Sequence, residues 1–263
     1  MLTMFLLVFA GLMALGIPVA IALGGSAMAY ILADGGLSLT LLVQTTFAGM
    51  SSFPLLAVPL FMLAGNLMNE GGITGDLVRF ARLSMGHISG GLGLATILAT
   101  AIFAAISGSA VATAVALGAV MIPAMRGAGY DEEVAASVTA TASCMGPIIP
   151  PSIPFIIYGV IANVSISALF LAGVVPGLLL GAVLMGYVVL VARRRNYPRE
   201  ARASGRDVLS GAVRALPALL MPVVIMGGIL GGIFTPTEAA GIAVVYAFLV
   251  GTFFYRRLKL ARL

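Results

Sequence analysis

The sequence predicts an all-α polytopic membrane protein, and three observations support that fold class. Of its 263 residues, 61% are hydrophobic and only 9% are charged, whereas a soluble domain carries about 25% charged residues. Residues 2–33 contain no charged side chain, and the later uncharged stretches are separated by short charged loops. The net charge of +5 is concentrated in those loops, which indicates membrane topology rather than a nucleic-acid surface. This composition excludes a soluble enzyme.

The first region, residues 1–72, contains the N-terminal spans. One straight helix over residues 2–33 would be about 48 Å long, against a hydrocarbon core of about 30 Å. Because Gly16-Ile17-Pro18 lies in its middle, we predict either a strongly kinked helix or two short spans that meet there. Residues 38–49 are too few to span a bilayer, and residues 53–69 form the next span. No positively charged segment precedes the apolar start, so we expect a retained helix rather than a cleaved signal peptide.

Residues 73–87 predict an amphipathic helix in the membrane interface. Asp76, Arg79 and Arg82 recur at helical spacing between apolar side chains, as in helices that lie in the headgroup plane. The alternative is an ordinary helix end that continues into a loop.

The chain has one histidine and one cysteine, so no metal site is predicted.

Residues 88–125 predict a re-entrant helical hairpin. They carry no charge, and their middle, Ser107 to Thr113, reads SGSAVAT. Two complete spans would need a hydrophilic turn, whereas this turn has only small and hydroxylic polar residues. Irregular backbone at membrane depth occurs only where it is packed in protein or lines a wet cavity. Charge leaves both possibilities open, because a hairpin and two full spans give the same sidedness to the flanking loops.

A second interruption follows within residues 133–163. The segment Gly146–Pro154 contains four prolines within eight residues, which no continuous helix can hold. Helical patterns nevertheless flank it on both sides. We therefore predict a broken membrane helix, followed by an uninterrupted span at residues 165–191.

Charges in the C-terminal part predict the orientation. The loop at residues 193–214 contains seven arginines, which assigns it to the cytoplasm by the positive-inside rule. Spans at residues 215–232 and 236–254 return the chain to the cytoplasm, in agreement with the basic tail at Arg256, Arg257, Lys259 and Arg262. Counting backwards assigns the loop around Arg126 and the amphipathic helix to the same side.

Residues with binding chemistry surround the two interruptions. Unwound carbonyls can coordinate a sodium ion, and the N-termini of half-helices can hold an anion. Hydroxyl groups flank the breaks at Ser107, Ser109, Thr113, Thr139, Thr141 and Ser143. The alternative is that these small residues only permit close helix packing. No acidic residue lies at either break, which favours sodium over proton coupling, and Glu238 is interpreted as a helix-start residue after Pro236.

Five short segments, read in chain order, form a distinctive set of motifs. They are Gly108–Thr113 (GSAVAT), Met121–Pro123 with Gly129–Asp131 (MIP and GYD), Gly146–Pro154 with Tyr158–Gly159 (GPIIPPSIP and YG), Leu169–Gly177 (LFLAGVVPG) and Gly231–Ala240 (GGIFTPTEAA). In this order they resemble the large membrane subunit (DctM type) of TRAP transporters, the tripartite ATP-independent periplasmic family. The proline-rich string is highly specific, and the resemblance covers essentially the whole chain.

That resemblance implies a fold and a function. It implies an elevator-type, sodium-driven importer of organic acids, such as C4-dicarboxylates or sugar acids, in the bacterial inner membrane. A periplasmic substrate-binding protein delivers the substrate and a small TRAP membrane subunit braces the large one. Sodium is the coupling ion, and no other cofactor is implied.

In such transporters a hairpin tip and an unwound helix form a sodium site beside the substrate. Carried onto this chain, the sodium-binding residues are Ser107, Gly108, Ser109, Thr113, Gly146, Pro147 and Ile149. The substrate-binding residues are Ser109, Thr141, Ser143, Pro150, Pro151 and Ser152. The resemblance also divides the chain into scaffold spans (1–72), an arm helix (73–87), a transport region (88–192), a basic cytoplasmic loop (193–214) and the first spans of a second repeat (215–263).

The sequence departs from the family in one respect. The large subunit has two inverted halves, and here the second hairpin and second broken helix are missing. We therefore expect the first half of such a transporter, as a truncated product or one completed by another polypeptide. The repeat makes residues 2–15 and 17–33 separate spans, with the N-terminus outside.

Two other hypotheses stay open: a related anion carrier that needs no binding protein, and a non-transporting truncated or assembly fragment. Uptake with and without a binding protein distinguishes the first, and an absence of sodium-dependent flux supports the second. An intramembrane enzyme is disfavoured, because no catalytic constellation occurs among nine acidic residues and one histidine.

Overall fold

The computed structural model describes residues 2–255 and 258, and within that part every regular element is helical. The chain divides into two compact units, unit 1 at Met1–Ser52 and unit 2 at Phe53–Leu263. The predicted basic tail, Arg256, Arg257, Lys259 and Arg262, lies outside the described residues. The all-α prediction is confirmed for the part of the chain that the structure describes.

Unit 1 consists of three helices: α1 (Leu2–Ala14), α2 (Val19–Asp34) and α3 (Leu39–Met50). The turn after α1 contains Gly16, whose φ of +77° suits glycine, and Pro18 immediately precedes α2. Two separate helices therefore occupy residues 2–34, in place of one kinked helix. At the other end of α2, Gly35 terminates the helix in the left-handed conformation.

Unit 2 begins with a short 3₁₀ turn at Phe53–Leu56, followed by α4 (Ala57–Glu70) and α5 (Ile73–Met85). The α5 helix lies where the sequence predicts an amphipathic helix, and it packs on α6 and α11, whose bounds follow below. Its buried face consists of Ile73, Thr74, Leu77, Val78 and Ala81. Arg79 and Arg82 are exposed, so α5 separates an apolar face from a basic one.

Both predicted interruptions lie in the middle of unit 2. Only Gly108 and Ser109 separate α6 (Gly91–Ser107) from α7 (Ala110–Gly127), which makes the pair a tight helical hairpin. The helices α8 (Glu132–Ser143) and α9 (Ile153–Ala162) are separated by residues 144–152, which we call the broken segment. Pro154 falls in the first turn of α9, where its missing N–H sacrifices no helical hydrogen bond.

Three apolar helices complete unit 2: α10 (Ile166–Arg195), α11 (Gly205–Leu230) and α12 (Pro236–Leu249), which continues into a π-helical turn at Val250–Phe254. The irregular basic segment between α10 and α11 is shorter than the predicted loop at residues 193–214. Ser204 accounts for the early start of α11, because its Oγ accepts a hydrogen bond from the Asp207 N–H at 3.1 Å and so caps the helix.

Many large apolar side chains are exposed on the outside of unit 2. Phe61, Phe103 and Phe170 are fully buried, yet Val175 and Ile161 are 72% and 79% exposed. Five helical segments of the described part are long and apolar enough to cross a membrane: Phe53–Glu70, Ala110–Gly127, Ile166–Arg195, Gly205–Leu230 and Pro236–Phe254. Exposed apolar surface of this extent is suited to a bilayer rather than to water, so the chain is a multi-pass membrane protein.

Candidate functional site

The hairpin tip is formed by the end of α6, Gly108 and the start of α7. Gly108 has a φ of +61°, in the left-handed region that favours glycine. A Cβ at Gly108 would lie 2.6 Å from the carbonyl oxygen of Pro151, so the tip approaches the broken segment too closely for a side chain. Ser109 is the N-cap of α7, and its Oγ accepts a hydrogen bond from the Ala112 N–H at 3.4 Å.

Three oxygen atoms gather behind the tip: Ser107 Oγ, Thr113 Oγ1 and the Ser109 carbonyl oxygen, together called the oxygen cluster. The Thr113 hydroxyl donates to the Ser109 carbonyl oxygen at 2.7 Å, and Ser107 Oγ lies 2.8 Å from Thr113 Oγ1. Because the Thr113 proton is used in the first bond, Ser107 donates in the second. Ser107 and Thr113 are 3% and 0% exposed, so their oxygens are withdrawn from the surface.

Two close backbone approaches join the tip to the broken segment and to the start of α9. A Cβ at Gly146 would lie 2.7 Å from the carbonyl carbon of Ser109 and 2.8 Å from its oxygen. The Ile153 N–H donates to the Gly108 carbonyl oxygen at 3.3 Å. The two interruptions therefore form one structure, in which the backbone of each determines the position of the other.

Ser152 stabilises the shape of the broken segment. Its Oγ donates to the Pro147 carbonyl oxygen at 2.6 Å and accepts from the Phe155 N–H at 3.3 Å. The residue is fully buried, and the peptide bond between Pro150 and Pro151 is cis. Ser152 is thus the N-cap of α9, in the role that Ser109 has for α7.

Four helix ends meet at this contact. The α6 and α8 helices end here and contribute the negative ends of their dipoles, whereas α7 and α9 begin here and contribute positive ends. In the described part of the chain, no group of three or more His, Cys, Asp or Glu side chains could hold a metal ion. The electrostatics of the site therefore come from backbone dipoles and hydroxyl groups.

Most of the predicted site residues lie at this contact. They are Ser107, Gly108, Ser109, Thr113, Gly146, Pro151 and Ser152, with Pro147 joined through its bond to Ser152. Ile149 instead packs towards α10, where a Cβ at Gly177 would lie 2.5 Å from its Cγ1. Pro150 is buried.

Two other predicted substrate residues, Ser143 and Thr141, belong to α8. The Ser143 hydroxyl donates within the helix, to the Thr139 carbonyl oxygen at 2.8 Å. Thr141 is exposed and lines a different pocket, of about 390 Å³, together with Glu133 and Ser137. These three polar residues recur every four positions and so share one face of α8, a face that is distinct from the tip contact.

A pocket of about 230 Å³ beside the tip includes residues that the sequence analysis did not select. It is lined by Ser107, Ser109, parts of α7, and Gly65, Asn66 and Asn69 of α4. A Cβ at Gly65 would lie 3.3 Å from the Ser107 Cα, so this glycine brings α4 against the tip. None of the described residues that line the pocket is charged. Two amides spaced three residues apart in an otherwise apolar stretch are the signal that could have identified α4.

Charged residues gather at the other end of the hairpin, here called the hairpin base. Asp131, which follows α7, accepts hydrogen bonds from the Tyr197 hydroxyl at 2.5 Å and from Arg195. These two bonds, that of Tyr197 first, lower the pKa of the Asp131 carboxyl below its usual value. The Tyr197 ring also stacks on Tyr130, with ring centroids 4.2 Å apart.

A second ion pair joins the loop after α10 to α5. Arg82 lies 2.5 Å from a carboxylate oxygen of Glu200, and the Glu200 N–H donates to the Gly86 carbonyl oxygen at 3.0 Å. The end of α5, the connection between α7 and α8, and the basic loop therefore meet at the hairpin base. These are the three segments that charge counting assigns to one side of the membrane.

Apolar helices long enough to cross a bilayer, with an uncharged polar site where two of their interruptions meet, define a multi-pass α-helical membrane protein. Residues 6–263 match the family model described as "Tripartite ATP-independent periplasmic transporter, DctM component". The chain belongs to that family, which confirms the resemblance found in its motifs.

Several curated proteins are similar to the chain. It is 43% identical over 254 residues to the C4-dicarboxylate TRAP transporter large permease protein DctM of Vibrio cholerae. It is 42% identical over 250 residues to the sialic acid TRAP transporter large permease protein SiaM of Vibrio cholerae. It is also 42% identical over 266 residues to the 2,3-diketo-L-gulonate TRAP transporter large permease protein YiaN of Escherichia coli.

The three alignments cover 96%, 95% and 99% of this chain but 56%, 58% and 62% of the relatives. The chain therefore spans little more than half the length of the curated relatives it matches. All three relatives are transporter permeases and not enzymes, as the composition of this chain predicts.

Proposed function

We propose that the chain forms part of the large permease of a sodium-coupled, binding-protein-dependent secondary transporter that imports organic acids. The observation that carries this proposal is the contact of the hairpin tip with the broken segment, where Gly108 and Gly146 permit backbone approaches that a Cβ would prevent. Secondary transporters build their ion and substrate sites from interrupted helices of this kind.

Sodium binding is supported by the oxygen cluster and by the two helix C-termini beside it. The last carbonyls of a helix have no partner within the helix, and α6 and α8 both end at this contact. Ser107, Ser109 and Thr113 contribute further oxygens. Ligands of this type suit a hard monovalent cation, and the site needs no carboxylate to attract it, because the C-terminal dipole ends are negative.

Carboxylate binding is supported by the opposite pair of helix ends. The α7 and α9 helices begin at the contact, after Ser109 and Ser152, and helix N-termini attract anions. The pocket beside the tip adds hydroxyl and amide groups without charge. An organic acid and a sodium ion therefore occupy adjacent regions of opposite potential, which couples the binding of one to the other.

The family and the charge distribution support the rest of the proposal. The permease acts with a small membrane subunit and a periplasmic substrate-binding protein, in the bacterial inner membrane. The hairpin base faces the cytoplasm, and the hairpin is re-entrant, with its tip at membrane depth. Substrate transfer takes place by an elevator movement of the hairpin and broken helix against the scaffold, and C4-dicarboxylates or sugar acids are the substrates.

The proposal is tested by sodium-driven uptake in proteoliposomes that hold the assembled transporter containing this chain, with its binding protein. Ser109→Ala is compared with Ser165→Ala, because both serines are N-caps that accept from the N–H three residues on, Ser165 from Ala168 at 3.2 Å. Both variants lose a similar cap. We expect Ser109→Ala to reduce sodium-driven uptake at least tenfold, and Ser165→Ala to leave it within twofold.

Equal uptake by the two variants would contradict the site assignment. Uptake that proceeds without the binding protein would instead favour the related anion carrier. A lack of sodium-dependent flux in the assembled transporter would favour the non-transporting fragment.

A further inference from the structure

The α4 helix presents two amide side chains to the pocket beside the hairpin tip. Asn66 and Asn69 are three residues apart, and apolar residues occupy the rest of α4 up to Glu70. Both line the pocket of about 230 Å³ together with Ser107 and Ser109. These two amides therefore place polar groups of an otherwise apolar helix beside the proposed site.

The two amides have different surroundings. The Asn69 Oδ1 accepts a hydrogen bond from the Thr74 hydroxyl at 2.8 Å, which connects α4 to α5. Within the described residues, the Asn66 side chain makes no hydrogen bond, and it is exposed. Asn69 thus has a structural partner, whereas the donors and the acceptor of Asn66 are available.

An amide without a partner is costly at membrane depth. Transfer of an amide into apolar surroundings without a hydrogen bond costs about 2–7 kcal/mol, so Asn66 needs either water or a polar ligand. Gly65 brings its helix against Ser107, so the amide lies across the pocket from the tip hydroxyls. The free amide and those hydroxyls therefore line the same cavity from two different helices.

We infer that Asn66 contacts the transported organic acid and contributes to its specificity, its amide N–H donating to a carboxylate oxygen of the substrate. This inference rests on the proposed function and adds a substrate contact on α4 to those on the tip and the broken segment. A neutral amide strengthens carboxylate binding without placing a fixed charge beside the sodium site. The residue is therefore expected to affect the acid rather than the cation.

The test measures KM for the organic acid separately from half-saturation by sodium. The assembled transporter containing this chain is assayed with whichever of succinate, N-acetylneuraminate and 2,3-diketo-L-gulonate it takes up fastest. We expect Asn66→Ala to raise KM about tenfold, since it removes a hydrogen bond to a charged group. Asn66→Asp raises KM further, because two carboxylates repel each other. Gln44→Ala, which removes an exposed amide on α3, leaves KM unchanged.

A second readout does not require transport. The 263 residues contain no tryptophan, so Met62→Trp, in the lining of the same pocket, adds a fluorescent reporter close to Asn66 in the assembled transporter, which is compared with the same transporter without it. The same three acids are titrated in sodium buffer. We expect a fluorescence change whose midpoint moves to about tenfold higher acid concentration when Asn66→Ala is added.

The outcomes distinguish a failure of the Asn66 contact from a failure of the proposed transport function. Unchanged KM in both Asn66 variants and an unchanged titration in Asn66→Ala, with uptake by Ser109→Ala still reduced, would overturn the role of Asn66 and leave the proposed function intact. A rise in sodium half-saturation with constant KM would make Asn66 a cation ligand and also overturn the substrate assignment. If the unchanged transporter shows no sodium-driven uptake, the proposed function fails, and a fluorescence shift that depends on Asn66 still supports the contact.

Discussion

The two ends of the helical hairpin use different chemistry. At the tip, Gly108 and Gly146 allow backbone to approach backbone, and the polar groups are hydroxyls, carbonyls and helix ends. At the base, Asp131 pairs with Arg195 and Tyr197; the two charged side chains are exposed, whereas Tyr197 is buried. Full charges are tolerated where water is near and are costly at membrane depth. Ion pairs at the base and uncharged oxygens at the tip therefore agree with the proposed orientation of the hairpin.

The difference also predicts how each end tolerates substitution. An exposed ion pair contributes little to stability, because water and salt screen it. A backbone contact without room for a Cβ has no flexible part that can move aside. Substitutions at the tip are therefore expected to abolish function, whereas substitutions at the base shift stability.

The largest effect is expected from Gly146→Leu. Any side chain at Gly146 meets the Ser109 carbonyl group, 2.7 Å from the new Cβ, and overpacking of this kind typically costs about 1–3 kcal/mol. Because the displaced atoms include an oxygen of the proposed sodium site, we expect sodium-driven uptake to fall at least a hundredfold while membrane insertion persists. Uptake and the amount of inserted protein are measured in the same vesicles.

The matched control is Gly186→Leu. Gly186 lies within α10, and a Cβ there would meet no atom within 4 Å. The control should insert and transport like the unchanged protein. Equal activity of Gly146→Leu and Gly186→Leu would show that the close approach at the tip is not required.

A smaller effect is expected at the base from Asp131→Asn. The substitution removes a carboxylate that accepts from both Tyr197 and Arg195, and charge-assisted hydrogen bonds are stronger than neutral ones. We expect a lower midpoint of thermal unfolding in detergent, with uptake retained. Asp34→Asn, at the exposed end of α2, serves as the control and should not change the midpoint.

A double-mutant cycle tests whether the bond accounts for that loss. Once Asp131→Asn is present, Tyr197→Phe should lower the midpoint by less than it does alone, since the shared bond has already lost its charge-assisted character. Fully additive losses would mean that the two side chains contribute independently.

The lowered pKa of the Asp131 carboxyl predicts that the stability of the folded protein depends on pH. Hydrogen bonds from Tyr197 and then Arg195 hold the pKa of Asp131 below its usual value in the folded state. In the unfolded chain the Asp131 carboxyl has a pKa of about 3.9, so on acidification the unfolded state binds its proton first. The stability that ionised Asp131 contributes is therefore fully present above that pH. It is lost as the pH falls through the lowered pKa of the folded state. Acid unfolding of the unchanged protein and of Asp131→Asn should converge below about pH 4, and parallel curves would contradict this sign.

The sequence was sufficient to predict the interruptions but not everything around them. Glycine and proline determine local backbone geometry, so the tip at Gly108 and the broken segment after Ser143 could be predicted from where these residues lie in the sequence. The position of Asn66 beside the tip could not, because it depends on α4 packing against a tip some forty residues later in the chain. Thr141 was predicted as a site residue from its hydroxyl group, yet the rotation of α8 turns it towards a different pocket.

Long-range ion pairs were equally inaccessible to sequence reasoning. Charge counting assigned the basic segments to one side, but nothing in the sequence paired Asp131 with Tyr197, which is 66 positions away. The early start of α11, by contrast, has a local signal in the sequence, the serine–aspartate pair Ser204 and Asp207. Local chemistry therefore predicted where helices break, and tertiary packing decided which of those residues meet.

The smallest effect is expected from Ser204→Ala. Ser204 caps α11 in the loop that reaches the base, just as Ser109 caps α7 at the tip, and each Oγ accepts from an N–H three residues on, at 3.1 Å and 3.4 Å. Loss of such a cap costs about 1 kcal/mol, so both alanine variants should be destabilised to a similar, small extent in denaturant unfolding. Only Ser109→Ala should also lose sodium-driven uptake, because its oxygens lie at the proposed site and those of Ser204 do not. If Ser204→Ala lost uptake to the same degree, the loss at Ser109 would reflect helix capping alone, and the chemical contrast between the two ends of the hairpin would no longer explain function.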